Sequence, residues 1–173
     1  MNTYEKFWRY AYPRIIKKTD IFNHVKEWDK NYLNGETGYW QLFYKLAITK
    51  NEARAELFLG RYNPEENKVL FDELIKQKEK IEGSFGSSLI WERIDNKVLC
   101  RICVRNHDFR PYDEDEWPEL SDYLTEQIIR LSNSMRKPLE DAFNTNLCIS
   151  KSKTTFDKVG CSDPLNQSAK LFR

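Results

Sequence analysis

Two kinds of side chain that could do chemistry, aromatic rings and cations, recur at alternate positions of three segments that read as strands. They are Phe43, Lys45, Arg54, Phe58, Arg101 and Arg105. Rings stack on the bases of single-stranded nucleic acid and cations contact its phosphates, so this mixture on one face of an antiparallel sheet is typical of a nucleic-acid surface. We predict that these six residues form the recognition surface of the protein.

The same pattern has a purely structural interpretation. Lys45 and Glu56 would form a cross-strand ion pair, and Phe43 and Phe58 a cross-strand aromatic pair, both beneath a long C-terminal helix. Either interpretation is consistent with the alternation, because alternation only decides which side chains share a face. The sequence leaves both open.

Catalytic chemistry has less support in the sequence. Carboxylates at Glu56, Glu92 and Asp108 could bind Mg²⁺, but none begins the Glu-x-Lys pattern of restriction-type nucleases. The two histidines have no recognisable Ser or Cys partner, and no Gly-rich phosphate loop is present. We therefore expect no catalytic residue and no cofactor, and keep a minimal metal-dependent nuclease as an alternative.

The cysteines do not indicate a metal site. Cys100 and Cys103 are three residues apart on a predicted strand, which places the two thiols on opposite faces of the sheet. The other two, Cys148 and Cys161, lie in a polar C-terminal segment. We predict free cysteines without bound metal.

Composition favours a soluble globular domain. The chain has 173 residues, a formal net charge of +1, 14% aromatic residues and a mean hydropathy of -0.75. No apolar run approaches the roughly 20 residues that cross a bilayer, and the first residues do not resemble a signal peptide. We expect a cytoplasmic protein without membrane contact. The balanced charge argues against binding of nucleic acid through a bulk positive field.

Periodicity predicts the elements that position these residues. Helical spacing covers residues 4–18 with a bend at Pro13, a short second helix is predicted at 20–28, and residues 30–38 resemble a loop. Residues 39–49 and 53–62 alternate as an antiparallel hairpin.

The second half of the chain repeats this order. A helix with an apolar stripe over residues 69–81 ends near Gly83, and a second hairpin joins 89–94 to 97–105. Its two-residue turn places Trp91, which we expect to be buried, opposite Cys100. A long helix then follows the acidic run at 113–116 and should kink or split at Pro138.

These elements predict an α+β fold: a four-stranded antiparallel sheet built from two hairpins, with N-terminal, central and long C-terminal helices. Residues 1–143 would form a single domain. Residues 144–173 are polar and aperiodic and read as a tail that is dispensable for folding.

Several short strings are familiar in combination. They are Phe7-Trp8-Arg9, residues 28–38, Arg54-x-Glu56-Leu57, Asn67-Lys68 leading to Phe71-Asp72-x-Leu74, Ile81-Glu82, and Leu89-Ile90-Trp91-Glu92-Arg93. Over residues 4–143 the chain resembles an uncharacterised bacterial and archaeal domain family of unknown function, often attached C-terminal to restriction-endonuclease-like nuclease domains. The resemblance implies a link to DNA handling or phage defence, and no particular reaction.

These observations predict a non-catalytic recognition domain that binds nucleic acid or a partner protein. One alternative is an interaction or inhibitory protein in phage–host conflict, which would contact its partner through the tail and the acidic 113–116 surface. The metal-dependent nuclease is the other. The oligomeric state is left open by the sequence.

Overall fold

The computed structural model describes residues 2–145 and Ile149. Its elements, in chain order, are α1 (Thr3–Ile15), β1 (Tyr32–Glu36), β2 (Leu42–Ile48), β3 (Ala53–Leu59), α2 (Pro64–Ile75), α3 (Lys78–Phe85), β4 (Ile90–Glu92), β5 (Cys100–Asn106), a short 3-10 turn (Glu114–Glu116) and α4 (Trp117–Thr145). Among these described residues, no helix is both long and apolar enough to cross a membrane.

The sheet confirms the α+β class but has five strands rather than the four predicted. Its order is β1-β2-β3-β5-β4, and every neighbouring pair is antiparallel. The fifth strand is β1, which lies in the segment predicted to be a loop and pairs with β2. Asn34 and Gly35 hid it, because both residue types are depleted in strands.

A close packing contact explains the glycine in β1. A Cβ at Gly35 would lie 2.3 Å from Ile21 Cγ2 and 2.8 Å from Phe22 Cε1. The amide of Glu36 donates to the carbonyl of Ile21 at 2.9 Å, so the segment after α1 is fastened to this strand. Gly35 allows that segment to approach the sheet edge.

All four helices share one hydrophobic core with one face of the sheet. α4 contacts β2 and β3, and α1, α2 and α3 each pack against α4. The sheet contributes the predicted apolar positions of the first hairpin to this core: Leu42, Tyr44, Leu46, Ile48, Ala53, Ala55, Leu57 and Leu59. Because these side chains point towards the helices, the alternate side chains of β2 and β3 point away from them.

The helices differ from prediction in three places. The segment predicted as a helix at 20–28 forms turns and extended chain. The central helix is two helices, and the second, α3, passes through Gly83 and ends at Phe85. Its C-cap is Gly86, whose φ of 92° is the left-handed conformation common at helix C-termini. α4 continues through Pro138 without splitting, and the ring of this proline is buried.

The β4–β5 connection is longer than predicted, and it shifts the register. Trp91 lies opposite Ile102 rather than Cys100, since residues 93–99 form a loop instead of a two-residue turn. The Lys68 ammonium holds this loop, donating to the carbonyls of Arg93 at 2.6 Å and Ile94 at 2.7 Å. The connection needs no tight turn, because the buried lysine supplies hydrogen bonds to the carbonyls of the loop.

Trp91 is half-buried rather than fully buried. Its ring makes an edge-to-face contact with Phe71 at 6.0 Å between centroids, and its Nε1 donates to Glu82 at 3.0 Å. Cys100 and Cys103 are free and buried, as predicted for residues of the sheet. The predicted tail lies outside the described residues apart from Asn144 and Thr145, which belong to α4, and Ile149, which packs into the core.

Candidate functional site

The structure brings all six predicted site residues to one face of the sheet. Cross-strand register places Phe43 opposite Phe58, Phe58 opposite Arg101, and Arg54 opposite Arg105. Lys45 lies opposite Glu56 in the middle row. We call this surface the charged face, comprising Phe43, Lys45, Arg54, Glu56, Phe58, Glu92, Arg101 and Arg105. The core and the helices lie on the other face, so the alternative in which α4 covers these residues is wrong.

Glu56 is at the centre of this face and is only 1% exposed. Its Oε2 lies 2.6 Å from Arg54 Nε and 3.6 Å from Arg101 NH1. Arg54 also contacts Glu52, at the start of the same strand pair. The buried carboxylate is thus compensated by two guanidinium groups, as a buried charge requires.

Glu92 extends the cluster across β4 and β5. Its carboxylate lies 2.6 Å from Arg101 Nε and 2.7 Å from Arg105 NH2. Arg105 returns to Glu52, with NH1 at 3.6 Å from Oε2. The three arginines and three glutamates form one closed set of contacts, the arginine–glutamate network, whose members are Glu52, Arg54, Glu56, Glu92, Arg101 and Arg105.

Lys45 does not form the predicted ion pair with Glu56, although the two residues are neighbours in register. Its Nζ lies over two rings, 3.6 Å from the centroid of Phe58 and 4.7 Å from that of Tyr32. Burial lowers the pKa of this lysine, an effect that the charge of Glu56 partly opposes. The Phe58 ring also closes over Gly60, where a Cβ would lie 2.3 Å from its Cε1.

A family comparison adds to this geometry. The sequence profile of the family described as Domain of unknown function (DUF4268) matches residues 3–139. The chain belongs to this family. No curated protein and no solved structure matches the chain. For this DUF4268 chain, an attached nuclease domain stays a prediction.

The DUF4268 fold does not assemble Glu56, Glu92 and Asp108, the carboxylates of the nuclease alternative, into a metal site. Glu56 and Glu92 both contact Arg101, and Asp108 is exposed just after β5. Within residues 2–145 and Ile149, no group of three His, Cys, Asp or Glu side chains could hold a metal ion. Carboxylates already paired with guanidinium groups are poor candidates for binding Mg²⁺.

Sequence reasoning missed Glu52 as a member of the network. The signal was available, because Glu52, Arg54 and Glu56 occupy alternate positions and therefore share a face. The predicted turn between residues 49 and 53 conceals it, because Glu52 falls within that turn. With Glu52 included, each of the three arginines contacts two glutamates.

Proposed function

We propose that this chain is a non-catalytic recognition domain that binds a partner protein through the charged face of its sheet. One observation carries the proposal: the three arginines of this face are balanced by three glutamates. The phosphates of a nucleic acid would have to compete with the carboxylates that already pair with these guanidinium groups. A protein surface can match both signs of charge and pack on the rings between them.

The composition of the face supports this choice. Arginine and aromatic residues are enriched in the energetically important parts of protein interfaces. Phe43 and Phe58 are half-buried side by side next to the arginine–glutamate network, so a partner could bury apolar rings and arginine stems together. The network would hold those side chains in place before binding, which reduces the entropy lost on association.

Single-stranded nucleic acid is the second candidate ligand, favoured by one specific observation. Phe43 and Phe58 are cross-strand neighbours, and with the ammonium of Lys45 they combine aromatic surfaces with a cation that no described carboxylate pairs within 4.0 Å. Stacking on a ring contributes roughly 1–3 kcal/mol per base. The family resemblance, with its expected context of DNA handling or phage defence in the cytoplasm, is compatible with either ligand.

The experiment compares two aromatic variants in the full chain. Three tagged proteins are purified from the native cells: wild type, Phe43→Ser and the control Tyr62→Ser. Tyr62 lies outside the charged face and is 79% exposed. We expect a stoichiometric protein to accompany the wild type and the control and to be lost from Phe43→Ser. A partner retained equally by all three would contradict the proposal.

Fluorescence anisotropy with labelled oligonucleotides tests the second candidate in parallel. Salt-sensitive binding that Phe43→Ser weakens would favour nucleic acid over protein. Mg²⁺-dependent cleavage of these oligonucleotides would overturn the non-catalytic assignment and favour the nuclease alternative. A partner encoded by a phage would identify the inhibitory alternative.

A further inference from the structure

A cleft of about 700 Å³ lies on the helix side of the sheet, away from the charged face. Its walls are the chain that follows α1, the turn between β1 and β2, and the middle of α4. This volume is within the range of small-molecule sites, roughly 300–1,000 Å³. Nothing in the proposed function uses it.

Two cations of the cleft are not paired with a described carboxylate. Lys17 and Arg136 both line it, both are exposed, and neither forms an ion pair with any residue in the described part of the chain. A third cation, Lys18, is paired with Asp122 at 2.9 Å. The cleft therefore offers two positive charges to a ligand.

The acidic groups of the cleft do not fully cancel these charges. The lining carries the carboxylates of Asp20 and Glu36 against the cations of Lys17, Lys18 and Arg136, so cations exceed carboxylates by one. Glu36 lies 3.3 Å from His24 Nε2. An anion is consequently the ligand class that the electrostatics favour.

A largely buried tyrosine provides an independent indication of a ligand. Tyr44 is 6% exposed as a whole residue and lines the cleft, and its hydroxyl forms no hydrogen bond with a described residue. The hydroxyl oxygen is not among the fully buried atoms that lack a partner, so it is accessible from the cleft and free to bond water or a ligand. Burial raises the pKa of this phenol, so it stays protonated and can donate; the charge of Arg136 opposes that shift, which indicates that the two groups are electrostatically coupled.

We propose that this cleft binds a phosphate monoester, with Arg136 and Lys17 contacting the phosphate and the Tyr44 hydroxyl donating to one of its oxygens. A phosphate monoester carries close to two negative charges near neutral pH and three strong acceptor oxygens. Two cations and a neutral donor match that demand better than they match a singly charged carboxylate. Apolar side chains of the cleft, among them Ile129 and Leu139, would contact the organic part.

Titration calorimetry of the full chain tests this with adenosine monophosphate, adenosine and inorganic phosphate. We expect the monophosphate to bind and adenosine to bind at least about tenfold more weakly, because hydrogen bonds to charged groups supply most of the affinity. A 5′-phosphorylated oligonucleotide that binds as tightly as the monophosphate would identify a nucleic-acid end as the source of the phosphate. Adenosine binding as tightly as the monophosphate would overturn the proposal.

Three variants connect the binding to the named residues. Arg136→Gln and Lys17→Gln should each weaken the monophosphate about tenfold, and Tyr44→Phe several-fold, since each removes one charged or hydrogen-bonded contact. The matched controls Arg9→Gln and Lys97→Gln remove exposed cations outside the cleft and should leave affinity unchanged. Absence of binding by the wild type, or equal affinity in Arg136→Gln and Arg9→Gln, would overturn the proposal.

Discussion

The ammonium nitrogen of Lys45 lies 3.6 Å from the centroid of the Phe58 ring, on the diagonal between strands β2 and β3. The charge thus rests on an aromatic surface although a carboxylate, Glu56, is its direct neighbour in register. A ring attracts a cation electrostatically but replaces little of its lost hydration. Burial accordingly lowers the pKa of Lys45 below its ordinary 10.5.

That shift predicts how stability depends on pH. Because the folded-state pKa is lowered, the charged lysine costs stability at every pH below it, and stability is gained as pH rises from the folded value to 10.5. Lys45→Met should equal or exceed wild type in stability at pH 7, by no more than about 1 kcal/mol, and this advantage should shrink as pH rises to 10.5 and be lost above it. Urea denaturation of both proteins at pH 7 and pH 11 measures this. A Lys45→Met protein clearly less stable at pH 7 would contradict it.

Glu56 should be the most sensitive residue of the charged face. Removing its charge leaves Arg54 and Arg101 partly uncompensated in a buried site, and breaking such pairs costs about 3 kcal/mol or more. Thermal denaturation of Glu56→Gln should show this loss, whereas the exposed Glu119→Gln should change stability by less than about 0.5 kcal/mol. Equal melting temperatures for the two variants would mean that the network contributes little.

Lys68 should control the order of the loop at residues 93–99. The residue is 6% exposed, and its ammonium donates to the carbonyls of Arg93 and Ile94. Hydrogen bonds to a charged group contribute roughly 1.5–3 kcal/mol, so Lys68→Met should lose about that much and speed hydrogen exchange in the loop. Lys97→Met, an exposed lysine of the same loop, is the control. An unchanged rate of hydrogen exchange in Lys68→Met would show that this lysine does not order the loop.

Two glycines should respond oppositely to alanine. At Gly35 the new Cβ would lie 2.3 Å from Ile21 Cγ2 and 3.0 Å from the Ile21 carbonyl, so we expect a loss of about 1–3 kcal/mol. At Gly83, inside α3, nothing lies within 4 Å, and alanine should stabilise by about 0.5–1 kcal/mol through its helix propensity. Chemical denaturation of the two variants provides the comparison; a stabilising Gly35→Ala would show that the segment after α1 is not held as described.

The sequence was informative wherever one face of an element is buried. Alternation along β2 and β3 correctly assigned Leu46 and Leu57 to the core and Lys45 and Phe58 to the opposite face, because the period of a strand leaves no freedom in that choice. The same reasoning correctly placed Cys100 and Cys103 of β5 on opposite faces of the sheet. The alternation along a strand assigns these faces wherever the strand begins or ends.

The parts that could not be predicted depend on contacts distant in sequence. β1 contains Asn34 and Gly35 and gains its pairing from β2 and its packing from Ile21. The loop after β4 is held by Lys68, which comes from another element. Whether Arg54 and Arg101 are available to a ligand likewise depends on glutamates of neighbouring strands. Local periodicity carries none of this information.

The strand order has a consequence for synthesis of the chain on the ribosome. β3 is joined to β2 by a short turn, but its other edge is filled by β5, which is made only after α2, α3 and β4. A hairpin of β2 and β3 can form within microseconds, long before β5 emerges. During that interval the central strand presents an unpaired edge, with Glu56 not yet joined to Arg101, to any other nascent chain. Rapid arrival of Cys100–Asn106 would then decide how much newly made protein escapes aggregation.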